Sequence, residues 1–220
     1  MKNKLLFIIC SKKLKYSFLI FSLLFLFVTV SAISYVDAVS KDIANNIFRL
    51  HVIANSDSDE DQKLKYIVRD AVLEHVNSIG ENAKSKEDLI SMLDLEDIKH
   101  VANQTILSQG YDYDVSVEIG NYDFPTKTYG DISLPAGFYD SLRVKIGSAE
   151  GKNWWCVMFP PLCFVDVSSG IVPDSSKKQL ESSMNTEGYN LISDTDSNEI
   201  NFKFKLVEFF QNIGTQLAIK

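Results

Sequence analysis

The run from Asn153 to Phe164, NWWCVMFPPLCF, constrains the fold of this chain more than any other stretch. It holds both tryptophans, two of the three cysteines and a Pro160-Pro161 pair. Large rings and thiols are mostly buried, whereas each proline removes a backbone donor and forces the chain out of a regular ladder. The expected element is a strand over Trp154 to Phe159 that stops at the prolines. Alternation places Trp154, Cys156 and Met158 on one face and Trp155, Val157 and Phe159 on the other. Both faces are apolar, so the strand lies inside the fold or leaves one face for a partner.

Charge divides the chain in two. Lys2, Lys4, Lys12, Lys13 and Lys15 precede a run from Tyr16 to Val36 without a charged residue, in which Phe, Leu, Ile and Val dominate. A transmembrane helix needs ~20 apolar residues, and lysines before such a run keep its amino terminus inside. A signal peptide has the same basic head, apolar core and small-residue exit, and Val30-Ser31-Ala32 and Val36-Asp37-Ala38 both suit a signal peptidase. Residues 1–38 are therefore a signal peptide or a signal anchor, and either one exports the rest of the chain. Setting them aside takes five of the 22 basic residues and one of the 29 acidic ones, leaving 17 against 28, a net charge of −11. Such a domain repels phosphate backbones, which excludes nucleic acid as its partner.

Export leaves Cys156 and Cys163 as the cysteine pair of the domain, since Cys10 belongs to the leader. An oxidising compartment favours a bridge. Closing it requires the Pro160-Pro161 corner to fold the chain back until the Cα atoms stand within ~7 Å. Two buried free thiols are the other reading, and the residues leave both open.

Beyond the leader, residues 39–46 read as a spacer. Ile47 to Ala54 is a β-branched, apolar run and reads as a buried strand. Ser56 or Ser58 opens a helix whose apolar positions run from Leu64 to Ile79 at helical spacing, with Gly80 ending it. A second helical segment runs from Ser85 to Gly110 with a break near Asp94. Tyr111 to Ile119 alternates as a half-wet strand, and Asn121 to Gly137 is a short strand with a structured loop. Tyr139 to Ile146 and Trp154 to Phe159 read as a hairpin with a long turn. This order points to an α+β fold with helices packed on one face of a mostly antiparallel sheet, spanning residues 47–167. Residues 168–201 are polar and read as a flexible linker, and 202–220 as a C-terminal amphipathic segment.

No chemical constellation stands out. Asp57-x-Asp59-x-Asp61 opens like a calcium loop but has Gln62 where glycine is needed and Val68 where a bidentate acid is needed. His51, His75 and His100 lack zinc spacing, and no G-x-S-x-G or phosphate loop is present. Cofactor, metal and small-molecule substrate are thus not expected.

Four motifs in order carry a family likeness: Arg49 to Ser58 (RLHVIANSDS), Phe124 to Gly130 (FPTKTYG), Leu134 to Tyr139 (LPAGFY) and Trp154 to Cys163. Together they resemble the stage II sporulation protein R family of endospore-forming bacteria. The resemblance implies a signalling protein made in the forespore and exported across its membrane into the space between the two cells. There it would activate a membrane-embedded aspartic protease of the mother cell, which processes the pro-form of sporulation sigma factor E. It implies no catalytic residues, so action is by binding. The candidate contact surface comprises Phe124, Pro125, Lys127, Tyr129, Pro135, Tyr139, Trp154 and Trp155. Two other readings stay open: an extracytoplasmic hydrolase with a Cys/Ser-His centre, and a membrane-tethered structural protein.

Overall fold

A computed structural model describes residues 2–163 and 172–193, with side chains from residue 14 onward. Helix α1 (Lys2–Asn45) runs without a break through the apolar leader and the expected spacer. Its segment Leu14–Asn45 is long and apolar enough to cross a membrane. Helix α2 (Asp59–Gly80) starts where Ser58 accepts the Asp61 N–H at 3.2 Å, and Asp59, Glu60 and Asp61 fill a first turn that favours acids. Ser85 caps α3 (Lys86–Met92). The break near Asp94 is real: its side chain accepts the N–H groups of Glu96 and Asp97 and starts α4 (Leu95–Ser108).

The strands are β1 (Phe48–Ile53), β2 (Val115–Phe124), β3 (Lys127–Tyr129), β4 (Ile132–Leu134), β5 (Gly137–Ile146) and β6 (Asn153–Phe159). Four form one sheet in the order β2-β5-β1-β6, while β3 and β4 make a separate small hairpin. The β2–β5 and β1–β6 pairings are antiparallel, and β1–β5 is parallel. The fold is thus α+β, with a mostly antiparallel sheet.

One pairing differs from the sequence reading. β5 and β6 are not a hairpin, because β1 lies between them. The connection is held from outside. Asn55 and Asp57 take the Ser148 and Lys152 N–H groups at 3.0 and 2.7 Å, and the Ala54 and Asn55 carbonyls take those of Gly151 and Glu150. Gly147 and Gly151 allow this approach, since a Cβ on either would meet Asn55 Oδ1 or the Ser56 carbonyl at 2.2 Å. The motif residues after β1 therefore clamp the β5–β6 connection.

Helices α2, α3 and α4 cover one face of the sheet. There Phe48, Leu50, Val52, Leu142, Val144 and Ile146 meet Leu64, Val68, Val72, Leu89, Ile98 and Ile106. A bulge changes the expected alternation of β6: Arg49 stands opposite Val157 but Phe48 opposite Phe159, so one residue of β6 is extra. Phe159 accordingly joins this first core with Met158.

The second face is also covered at one end. Val39 and Ile43 of α1 pack there with Ile47, Phe124, Ile132, Leu134, Tyr139 and Val157. Two helices complete it, α5 (Asp174–Ser183) and α6 (Thr186–Ser193), through Leu180, Met184 and Ile192. They lie in the stretch read as a flexible linker. Its few apolar residues are concentrated at buried positions, and Asp42 fixes the junction by accepting the Asn185 N–H at 2.9 Å. The residues read as a spacer are likewise helical and partly core. The expected amphipathic segment 202–220 lies outside the described residues.

Candidate functional site

β1 alternates between the two faces, so Leu50 and Val52 enter the first core while Arg49 and His51 face the other way. Arg49 is wholly buried. Its guanidinium lies 4.2 Å from the Phe124 ring centroid and 4.8 Å from that of Tyr139. Its Nη2 donates to the Tyr129 hydroxyl at 2.8 Å, and that hydroxyl donates to the Trp155 carbonyl at 3.2 Å. Arg49 Nε and Nη1 have no hydrogen-bond partner, and no carboxylate pairs with them among the described residues. Burial pushes the Tyr129 and Tyr139 hydroxyls above the usual phenol range against the opposing pull of Arg49.

His51 continues this row. Its ring stacks on Trp155 with centroids 3.8 Å apart, and its Nε2 is 2.8 Å from Asn153 Oδ1. Burial lowers its pKa to about 4; the Asn153 contact opposes this, and Arg143 and Lys145 reinforce it. Phe124 meets the Trp155 ring edge-on at 4.7 Å.

Trp154 points the opposite way, to the helix side. Arg69 of α2 lies 4.4 Å from its ring centroid, and Tyr66 meets it edge-on at 5.3 Å. Arg69 also pairs with Asp70 at 2.6 Å. The two neighbouring tryptophans thus each stack on a separate group, one on either side of the same strand.

The candidate contact residues therefore divide. Phe124, Tyr129, Tyr139 and Trp155 meet around Arg49 and His51. Pro135 is buried beneath them, and its carbonyl accepts the Tyr139 hydroxyl at 2.8 Å. Pro125 and Lys127 are exposed at the approach to the β3–β4 hairpin, and Trp154 stands apart on the other face. Phe124, Pro135 and Tyr139 are buried and offer no surface of their own for contact. Sequence reasoning missed Arg49 as the centre of the group. The signal for it was a lone arginine that alternates with His51 inside a strand whose other residues are apolar.

Cys156 and Cys163 are joined by a disulfide with Cα atoms 5.5 Å apart. The chain folds back as the prolines require, and the Leu162 N–H reaches the Val157 carbonyl at 3.2 Å. Cys156 lies on the first-core face, opposite to His51, so the two do not form a thiol–imidazole pair. The acids of the apparent calcium loop serve the fold instead. Asp61 accepts from Ser56 Oγ at 2.5 Å and Asn55 Nδ2 at 2.8 Å. Burial raises its pKa, but these bonds and one from Tyr113 outweigh that and hold it below the ordinary carboxylate value. Among the described residues no three His, Cys, Asp or Glu side chains gather as metal ligands.

These features define a disulfide-bonded α+β domain carried behind an apolar N-terminal helix. The chain belongs to the stage II sporulation protein R family, whose sequence profile matches residues 44–169. It is 40% identical over 147 residues to the stage II sporulation protein R of Bacillus subtilis (strain 168), a match covering 63% of this chain and 66% of that relative. No solved structure matches the chain.

Proposed function

We propose that this chain is an exported signalling protein of sporulation that acts by binding. It leaves the forespore, enters the space between the two cells and switches on a membrane-embedded aspartic protease of the mother cell. That protease then processes the pro-form of sporulation sigma factor E. Family membership carries the reading. The disulfide suits an oxidising compartment outside the cytoplasm, and the apolar helix supplies a route of export. A ligand needs only to bind the active state of its receptor better than the inactive one, which requires no nucleophile.

Release from the membrane and retention in it are both compatible with an intact domain. Among the described side chains of α1 the buried ones begin at Val39, so cleavage after Ala32 or Ala38 leaves Val39 and Ile43 in the second core. The test is to express the chain with an export signal in cells that hold the protease and its substrate but no other sporulation protein. Processing of the sigma-factor precursor is expected, in proportion to exported protein. Absence of processing, or turnover of a substrate by the purified chain that one point substitution abolishes, overturns the reading.

A further inference from the structure

The two outer strands of the four-stranded sheet are finished differently. At β6 the returning chain occupies the edge: Leu162 N–H bonds the Val157 carbonyl, the Tyr129 hydroxyl bonds the Trp155 carbonyl, and the disulfide holds the return in place. Nothing comparable covers β2 among the described residues. One hydrogen bond fixes which of its groups are free. Gly147 N–H reaches the Asp114 carbonyl at 2.8 Å, one step before the Val115–Ile146 pair. Asp114 and Gly147 are therefore a hydrogen-bonded pair. Antiparallel alternation then directs the N–H and C=O groups of Ser116, Glu118, Gly120 and Tyr122 toward β5. Those of Val115, Val117, Ile119, Asn121 and Asp123 point away from the sheet.

Folded proteins usually blunt so long an edge with lysine, proline or a bulge. β2 contains no lysine or proline, and its register with β5 is unbroken from Val115 to Phe124. Val117 and Ile119 pack on the first core beneath α4, but among the described residues no backbone group bonds the outer edge of the strand.

The charge along this edge selects its occupant. Asp112, Asp114, Glu118 and Asp123 lie on or beside β2, and no lysine or arginine stands between Gly110 and Thr126. Glu118 is paired with Lys145 at 2.7 Å, whereas Asp112, Asp114 and Asp123 are exposed. A second copy fits poorly: its own β2 carries the same acids and no lysine or arginine, so self-pairing would bring acidic strand to acidic strand.

We propose that β2 is a docking strand that takes, by strand addition, an extended segment of a protein partner bearing lysine or arginine. This inference rests on the reading that the domain works by binding, and it names the surface used.

The test uses the full-length chain in detergent micelles and two capped nine-residue peptides, one alternating lysine and valine, the other glutamate and valine. Hydrogen exchange is read at single residues. The lysine peptide is expected to slow exchange at Val115, Val117, Ile119, Asn121 and Asp123 by about tenfold or more, with Ser116 and Glu118 unchanged. The glutamate peptide should do neither. Ile119→Pro removes no bond to β5, because that N–H points outward, and is expected to abolish the protection. Should that variant not fold, the double variant Asp114→Lys, Asp123→Lys is expected to weaken the lysine peptide by about tenfold. No protection, equal protection by both peptides, or protection that grows with protein concentration in the absence of peptide overturns the proposal. A chain that binds the lysine peptide at β2 yet supports no sigma-factor processing upholds the docking strand and counts against the functional reading.

Discussion

The guanidinium of Arg49 lies over the ring of Phe124, 4.2 Å from its centroid, in a core that gives this cation aromatic faces and one hydroxyl in place of a carboxylate. Two of its nitrogens have no acceptor. Burying a charge without a counter-ion is costly, and aromatic faces return only part of that cost, ~2 kcal/mol for a desolvated contact. The arrangement is therefore a poor choice if stability were the only requirement.

The first prediction rests on this imbalance. Arg49→Met keeps the volume and removes the charge, so stability is expected to stay level or rise by about 1–3 kcal/mol. Phe124→Ala, which removes a wholly buried ring, is expected to lose about 3–5 kcal/mol. Urea denaturation of both variants checks this. A large loss for Arg49→Met would show that the cage stabilises the cation fully.

His51 gives the second prediction, a pH dependence. Its folded pKa of about 4 lies below the ~6.5 of an unfolded histidine, so the unfolded state binds its proton first as pH falls. The contribution is complete above pH ~6.5 and is lost between there and pH ~4, on the order of 3 kcal/mol in all. His51→Asn should flatten that part of the stability curve. Melting midpoints taken across the interval decide it. Equal slopes in the two proteins would mean that the ring is not held neutral by burial.

The third prediction concerns the bridge between Cys156 and Cys163. It closes a short loop, and on the chain-entropy model its removal by Cys163→Ser is expected to cost about 2.5 kcal/mol. Mass spectrometry of alkylated exported protein should find neither thiol free. Two alkylated cysteines in natively exported chain would refute the bond.

The fourth prediction reverses what composition suggests about the segment after residue 171. A stop after residue 171 removes Val172, Leu180 and Ile192, all wholly buried, and uncovers Val39, Ile43 and Ile47. Burial of each such side chain contributes ~1.5–3 kcal/mol before ordering costs are subtracted, so a net loss of about 2–4 kcal/mol is expected. A truncated chain that melts with the full-length one would show that α5 and α6 stabilise nothing.

The sequence showed local structure well and long-range pairing badly. Ser58, Gly80 and Asp94 marked helix ends because caps act within a few residues of where they stand. The β6 strand and its proline stop were equally plain. The insertion of β1 between β5 and β6 was not, because the loop around Asn55 that permits it lies about ninety residues away in sequence. Helices α5 and α6 were hidden by a polar composition whose few apolar residues reveal their purpose only beside α1. Half of the candidate contact residues proved to be the walls around Arg49. Aromatic residues look alike in sequence whether they face solvent or a buried cation.

The unbroken passage of α1 from apolar leader to second core sets how far the domain can wander while the leader remains attached. The segment Leu14–Asn45 has 32 residues, roughly 48 Å of helix at ~1.5 Å per residue. About 30 Å of that satisfies the hydrocarbon layer, leaving less than two nanometres of stiff stem, the last turns of which are already inside the fold. Diffusion is then confined to a thin sheet along the bilayer. A membrane-bound receptor on the facing surface would meet the domain by a two-dimensional search at a locally raised concentration, whereas cleavage of the stem would dilute the same molecule into the whole gap.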